Sequence, residues 1–142
     1  MQLTKGQKIK IEETGKKFDL KLMILYGSYA KETPRKGSDL DIAVLGKKPI
    51  DLETELKLYS ALAEVFGDSR DRELDVKSLH GVDPFFRYQV MKDGILLYGD
   101  SHDFYIFKVY AIRAHQENQK LRRLKELLLK KRQEHLEKLY VR

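Results

Sequence analysis

The sequence predicts an α/β fold of the α+β kind: a small mixed sheet flanked by helices, with a helical extension at the C-terminus. Three observations point there. Segments of strand length, apolar runs at Leu22–Tyr26 and Leu40–Val44 and an alternating one at Glu73–Leu79, are bounded by glycine, proline and charged residues. Between the second and third lies a stretch, from Leu52 to Phe66, whose apolar residues recur at helical spacing. Beyond about Asp103 the chain carries a seven-residue apolar recurrence with no further strand signal.

Length and charge bound the rest. A chain of 142 residues is one ordinary domain. Its net charge of +6 resides in the C-terminal segment: Lys120 to Arg142 holds nine Lys/Arg against three Glu, and the preceding residues are balanced at 19 of each sign. The body therefore lacks the basic footprint of a nucleic-acid binder, and a nucleic-acid partner is not favoured. There is no cysteine, which excludes disulfides and thiolate metal sites. The N-terminus, MQLTKGQKIKIEE, is polar, and no apolar run approaches the ~20 residues of a membrane span. A cytoplasmic protein with no membrane contact is expected.

The elements follow in order. Residues 5–17 form a short helix. Asp19–Tyr26 is a buried strand, Gly27-Ser28 a turn, and Tyr29–Glu32 one helical turn. Thr33–Ser38, TPRKGS, is a loop, and Asp39–Leu45 the second strand. Asp51 caps a helix whose buried face is expected to be Leu52, Leu56, Tyr59, Ala63 and Phe66, ended by Gly67. Glu73–Leu79 alternates as a strand, with Leu74, Val76 and Ser78 opposite Glu73, Asp75 and Lys77. Asp83-Pro84 opens a helix that ends at Gly94, and Ile95–Tyr98 is an edge strand. Residues 1–102 make the core and residues 103–142 a partner-docking arm. Within the arm Phe107, Ala114, Leu121 and Leu128, with Tyr110 and Leu124, form one face. The polar His115–Lys120 either breaks this helix or lies exposed between two docking stretches.

Residues two apart on a strand share a face, so Asp39 and Asp41 project together while Leu40, Ile42 and Val44 enter a core. Adjacent carboxylates repel, and a hard divalent cation such as Mg²⁺ is the usual remedy. If the Asp75 strand pairs beside the second strand, a third carboxylate joins them and a two-metal site is plausible. A glycine at position 27 lets backbone approach a polyphosphate, and Ser28 offers a hydroxyl. Lys31 and Ser38 join them as nucleotide-binding candidates; Arg35 and Lys36 can neutralise phosphate charge. At residue frequencies near 5–7%, the four fixed positions Gly27, Ser28, Asp39 and Asp41 arise together by chance in roughly one chain in 500. The four histidines show no ligand spacing, and His80 is expected at the surface. Tyr59 and Tyr110 are expected in the core, and Tyr29 is the tyrosine nearest the turn.

The run GSYAKETPRKGSDLDIAV resembles the Gly-Ser, ten residues, Asp-x-Asp signature of the DNA polymerase beta-like nucleotidyltransferases, in particular the minimal nucleotidyltransferase (MNT) branch. The resemblance spans roughly Phe18 to Gly99. It implies a polymerase beta-like core in which Gly27 and Ser28 hold nucleotide phosphates and Asp39 and Asp41 bind Mg²⁺. Asp75 would complete the site and activate the acceptor hydroxyl. Family members often read Ala-Arg-Gly where this chain has Ala30-Lys31-Glu32; lysine is a point charge, without the arginine fork. MNT proteins are commonly antitoxins that transfer AMP from ATP to a tyrosine of a HEPN-domain ribonuclease toxin. The chain is short for a family member with its own substrate domain, so the acceptor is expected from a partner. Two other functions stay open: a nucleotidyltransferase acting on RNA or a small molecule, and an antitoxin that neutralises by binding alone. Self-association also stays open.

Overall fold

A computed structural model describes residues 1–140. The first helix, α1 (Lys5–Lys17), is secured by a capping box: Thr4 Oγ accepts from the Gln7 N–H while the Gln7 side chain accepts from the Thr4 N–H. Gly15 sits in its last turn because the Tyr98 ring packs there; a Cβ would lie 2.5 Å from that ring. Two long strands, β1 (Leu20–Tyr26) and β2 (Leu40–Gly46), pair antiparallel at the centre. Helix α2 (Leu52–Phe66) then crosses over to β3 (Leu74–Ser78), which runs parallel to β2. After α3 (Pro84–Asp93) the short strand β4 (Ile95–Tyr98) pairs antiparallel with β1. The order is β3-β2-β1-β4, a mixed sheet as expected.

Each face of the sheet has its own core. Leu40, Ile42 and Val44 lie on one face with Leu25, Ile11 of α1, and Leu58 and Leu62 of α2. Ala43, Leu45, Leu22 and Ile24 lie on the other with Val90 and Met91 of α3. The central strands are thus apolar on both faces, which explains their near-continuous hydrophobic runs.

Two helix faces differ from the sequence expectation. On α2 the buried residues are Leu58, Leu62, Val65 and Phe66, whereas Leu52 and Leu56 are 71% and 62% exposed. Tyr59 and Ala63 are half-buried. Both stripes satisfy helical periodicity, and the approach of α1 and β3 selects the second. The last helix, α4 (Ser101–Tyr140), runs without a break through His115–Lys120. It docks by Phe104, Phe107 and Ala111 against the α3 face, so the first turns of the expected arm belong to the core packing. Tyr110 is 55% exposed and not a core residue. His115 stacks on Tyr88, ring centroids 4.0 Å apart, where the helix leaves the body. From residue 116 to 140 every side chain is exposed, including Leu121, Leu124, Leu127, Leu128 and Leu129. That is about 37 Å of helix at 1.5 Å per residue. Val141 and Arg142, the end of the expected arm, lie outside the described residues. No described helix is long and apolar enough to cross a membrane.

Candidate active site

The site forms where β1 ends and β2 and β3 begin. Gly27 follows Tyr26 with φ +74°, a left-handed conformation that glycine adopts without strain. The Lys31 N–H donates to the Gly27 carbonyl at 3.2 Å and the Thr33 N–H to the Ser28 carbonyl at 2.9 Å. The segment expected as a helical turn is one such turn, closed by an i→i+4 bond and then widened by a bond that spans five residues. Its exit, Glu32, has φ +58°, a conformation that favours glycine. The Gly position of the Ala-Arg-Gly pattern thus has a backbone reason, and Glu32 occupies it under strain. Reverting it should help. We expect Glu32→Gly to raise stability by up to about 1 kcal/mol, less the chain entropy glycine adds. Urea unfolding would read this, and a midpoint lowered by the full entropic cost of glycine would mean that Glu32 is not strained.

The carboxylates come together through register. Asp41 is the cross-strand partner of Tyr26 on β1 and of Asp75 on β3, so the three residues form a row across three strands. The β2–β3 pairing begins at the Leu40 N–H, which donates to the Glu73 carbonyl at 2.8 Å. Asp39 precedes β2 and is exposed. Gly27 closes on Asp41 so tightly that a Cβ there would lie 2.3 Å from Asp41 Oδ2. Burial, then the charges of Asp75 and Asp39, push the Asp41 carboxyl up from 3.8 to about 6, against a smaller opposing pull from Lys77. Burial first, then Asp41 and Asp75, raises the Tyr26 hydroxyl as well and keeps it protonated.

Among the described residues no three carboxylates or imidazoles converge as a ready cage for a metal ion. Mg²⁺ does not require one: it is held by one or two carboxylates with substrate phosphates and water completing the shell. A carboxylate pair whose mutual repulsion raises one proton affinity has the donor chemistry for that ion, so the residues fit.

The remaining sequence candidates are placed as follows. Ser28 stands in the turn, half-buried beside Gly27. Lys31 reaches Asp93 at the end of α3, Nζ to Oδ2 3.8 Å, a half-exposed pair of small energetic weight. Ser38 Oγ accepts from the Arg35 N–H at 2.8 Å and so shapes the loop. His80 is half-buried, with Nε2 3.1 Å from the Gly46 carbonyl, and lies past the end of β3 away from the acids. Tyr29 packs beside the α2 core. Two neighbours of the acid row escaped the sequence reading. Tyr26 meets the Phe86 ring edge-on at 5.9 Å. Lys77, two residues beyond Asp75 on the same face, lies 4.0 Å from its carboxylate and 5.7 Å from the Phe86 ring. Its spacing of two from Asp75 was the available signal; Tyr26 could be found only through the register.

Residues 8–103 match the family model described as polymerase beta, nucleotidyltransferase. The chain belongs to this nucleotidyltransferase family. The protein adenylyltransferase MntA of Shewanella oneidensis is 32% identical over 100 residues, covering 70% of this chain and 69% of its own length. A crystal structure of a toxin–antitoxin with AMP-PNP aligns at TM-score 0.68 and 28% identity, over 85% of this chain and 98% of the other. A structure of the tri-AMPylated Shewanella oneidensis HEPN toxin in complex with MNT antitoxin aligns at TM-score 0.63 and 26% identity. That alignment covers 86% and 96% of the two chains. In this nucleotidyltransferase the family's Gly-Ser turn and Asp-x-Asp pair lie against each other through the Gly27–Asp41 contact.

Proposed function

We propose that this nucleotidyltransferase is an antitoxin that transfers AMP from ATP to a hydroxyl, a tyrosine hydroxyl in the first instance, of a HEPN-domain toxin. The observation that carries the reading is the register that brings Asp75 beside Asp41 with Gly27 closed over it. The similarity to MntA, and to the MNT antitoxin in complex with a tri-AMPylated HEPN toxin, supplies the acceptor class.

The reaction is an in-line displacement. The acceptor oxygen bonds to the α-phosphorus, the bond from that phosphorus to the bridging oxygen of the β-phosphate breaks, and pyrophosphate leaves with those electrons. The turn at Gly27 and Ser28 orients the triphosphate through backbone N–H groups and the Ser28 hydroxyl. Asp39 and Asp41 would hold Mg²⁺, whose chemistry when bound is to neutralise phosphate charge and polarise the reacting oxygens. Asp75 stands nearest the open edge of the sheet, on an edge strand, and accepts the proton of the incoming hydroxyl. Lys31 and Ser38 flank the turn, one as a movable cation and the other by shaping the loop. The work of the protein is positioning and charge compensation.

The exposed leucines of α4 provide the partner-docking surface in this reading. Most helical stability in proteins comes from packing of an apolar face, and the leucine face of this stretch is uncovered in the free chain. We expect the paired change Leu121→Glu and Leu128→Glu to leave thermal unfolding of the free protein within about 0.5 kcal/mol of the parent, since both sites are exposed. The same change should weaken the complex with the toxin about tenfold or more. Equal toxin affinity, read by titration calorimetry, would remove the arm from the interface.

The deciding experiment incubates the protein with labelled ATP, Mg²⁺ and the product of its neighbouring gene. Label on that protein supports the proposal. Label on RNA, or a tight complex that stays unlabelled, overturns it in favour of another acceptor or of neutralisation by binding.

A further inference from the structure

Behind the sheet end opposite the carboxylates lies a second, chemically distinct cavity of about 360 Å³. It opens between the ends of β2 and β3 and the α3–α4 pair. Leu45, Leu79 and Phe107 form its apolar floor. The polar lining consists of Lys21, Lys47, His80 and Arg87, and no carboxylate lines it. Asp41 and Gly46 are five residues apart along β2, so this cavity sits about 17 Å from the acid row.

Arg87 is the informative residue. It is held on α3 with its guanidinium carbon 5.3 Å from the centre of the Tyr110 ring. One Nη donates a long bond, 3.5 Å, to the Val82 carbonyl. Its Nε is buried with no hydrogen-bond partner. A buried, charged donor left unpaired is costly, and such groups in folded proteins carry an explanation. No acidic side chain supplies one here. Asp19, which is not part of the lining, meets Lys47 at 3.2 Å with both groups largely exposed. Lys21 and Arg87 therefore line a ligand-sized recess, half polar and half apolar, with no acidic partner, beside a Lys47 that is paired with Asp19.

We propose that this cavity binds a small oxyanion of the phosphate class, with the half-buried Arg87 as its anchor and Lys21 and Lys47 as its rim. A guanidinium fork matches the oxygens of a tetrahedral phosphate, and two further ammonium groups favour a dianion over a monocarboxylate. Because the lining joins the β2 end to Phe107 and Tyr110 of α4, the bound anion fixes the root of the arm to the body. The site is independent of the transfer chemistry proposed above.

Titration of the ¹⁵N-labelled protein with inorganic phosphate, at ionic strength held constant with chloride, tests this. Saturable shifts of the Gly46 and Gly81 amides are expected, separate from any at Gly27 and Ser28. Arg87→Gln should weaken that binding about tenfold or more. Lys21→Met lies on an exposed side chain, leaves the fold intact, and should weaken it by a smaller, measurable factor. Shifts that grow without saturation, shifts confined to Gly27 and Ser28, or an affinity unchanged by Lys21→Met would each overturn the proposal. Acetate binding as tightly as phosphate would overturn the phosphate assignment.

Discussion

Asp41→Asn is expected to lower AMP transfer by about 10³-fold or more while leaving the metal-free protein at least as stable as the parent. Asp41 lies at the centre of the acid row, with Asp75 facing it on β3 and Asp39 two residues before it. Removing its charge removes the repulsion that, after burial, raises its proton affinity. The amide keeps nearly the same volume, so packing against Gly27 is retained.

The pH dependence carries the same sign. The folded-state value, about 6, lies above the ordinary 3.8, so the folded protein binds the Asp41 proton more tightly than the unfolded chain does. The resulting stability is fully present below about pH 4 and is lost as pH rises through about 6. The metal-free parent should therefore lose stability across that window, and Asp41→Asn should flatten this part of the profile. Because the carboxyl is only half-buried, the change is modest. Mg²⁺ should raise the melting temperature of the parent above pH 6 and have little effect on the variant. A marked loss of stability in the variant instead would make Asp41 a structural cap, and the metal-binding role would fail.

Gly27→Ala is the second large effect. The substitution brings two penalties: a Cβ 2.3 Å from Asp41 Oδ2, and a side chain at φ +74°. The backbone penalty alone is about 1–2 kcal/mol. The steric one must push the Asp41 carboxylate aside, and a displacement near 1 Å at a reacting centre costs about 10²-fold in rate. Gly37→Ala separates the two. Gly37 has φ +84° with nothing within 4 Å of an added Cβ, so it should show the backbone cost in urea unfolding yet keep its transfer rate. Equal rate losses in both variants would mean that the Gly27 effect is only loop strain, unconnected with Asp41.

Most strand and helix segments were legible because their signals are local. Asp51 and Asp83 cap helices, Pro84 opens one, and Gly67 and Gly94 close two. The Gly-Ser and Asp-x-Asp elements were legible for the same reason, since turn chemistry and strand alternation act within a few residues. Helix orientation was not. On α2 the stripes through Leu52 and Leu58 both keep helical spacing, and the stripe through Tyr110 on α4 is as regular as the buried one through Phe104 and Ala111. Periodicity says that a face exists; the neighbours decide which one is covered.

By itself, then, the sequence determined the element order, the mixed α/β character, the confinement of excess charge to the arm, and the residue types able to handle phosphate and metal. Only the tertiary structure decided which of them meet. Asp41 and Asp75 are separated by 34 residues of chain, and a parallel register makes them neighbours. Tyr26 enters the same row by pairing, and Lys77 shares its face by strand alternation. Glu32 shows both levels at once: its departure from the family pattern is visible in the sequence, and its positive φ, visible only in the fold, supplies the reason that glycine is favoured there. The unpartnered Arg87 Nε belongs wholly to the second level, because a buried donor is defined by what surrounds it and not by the residues beside it in the chain.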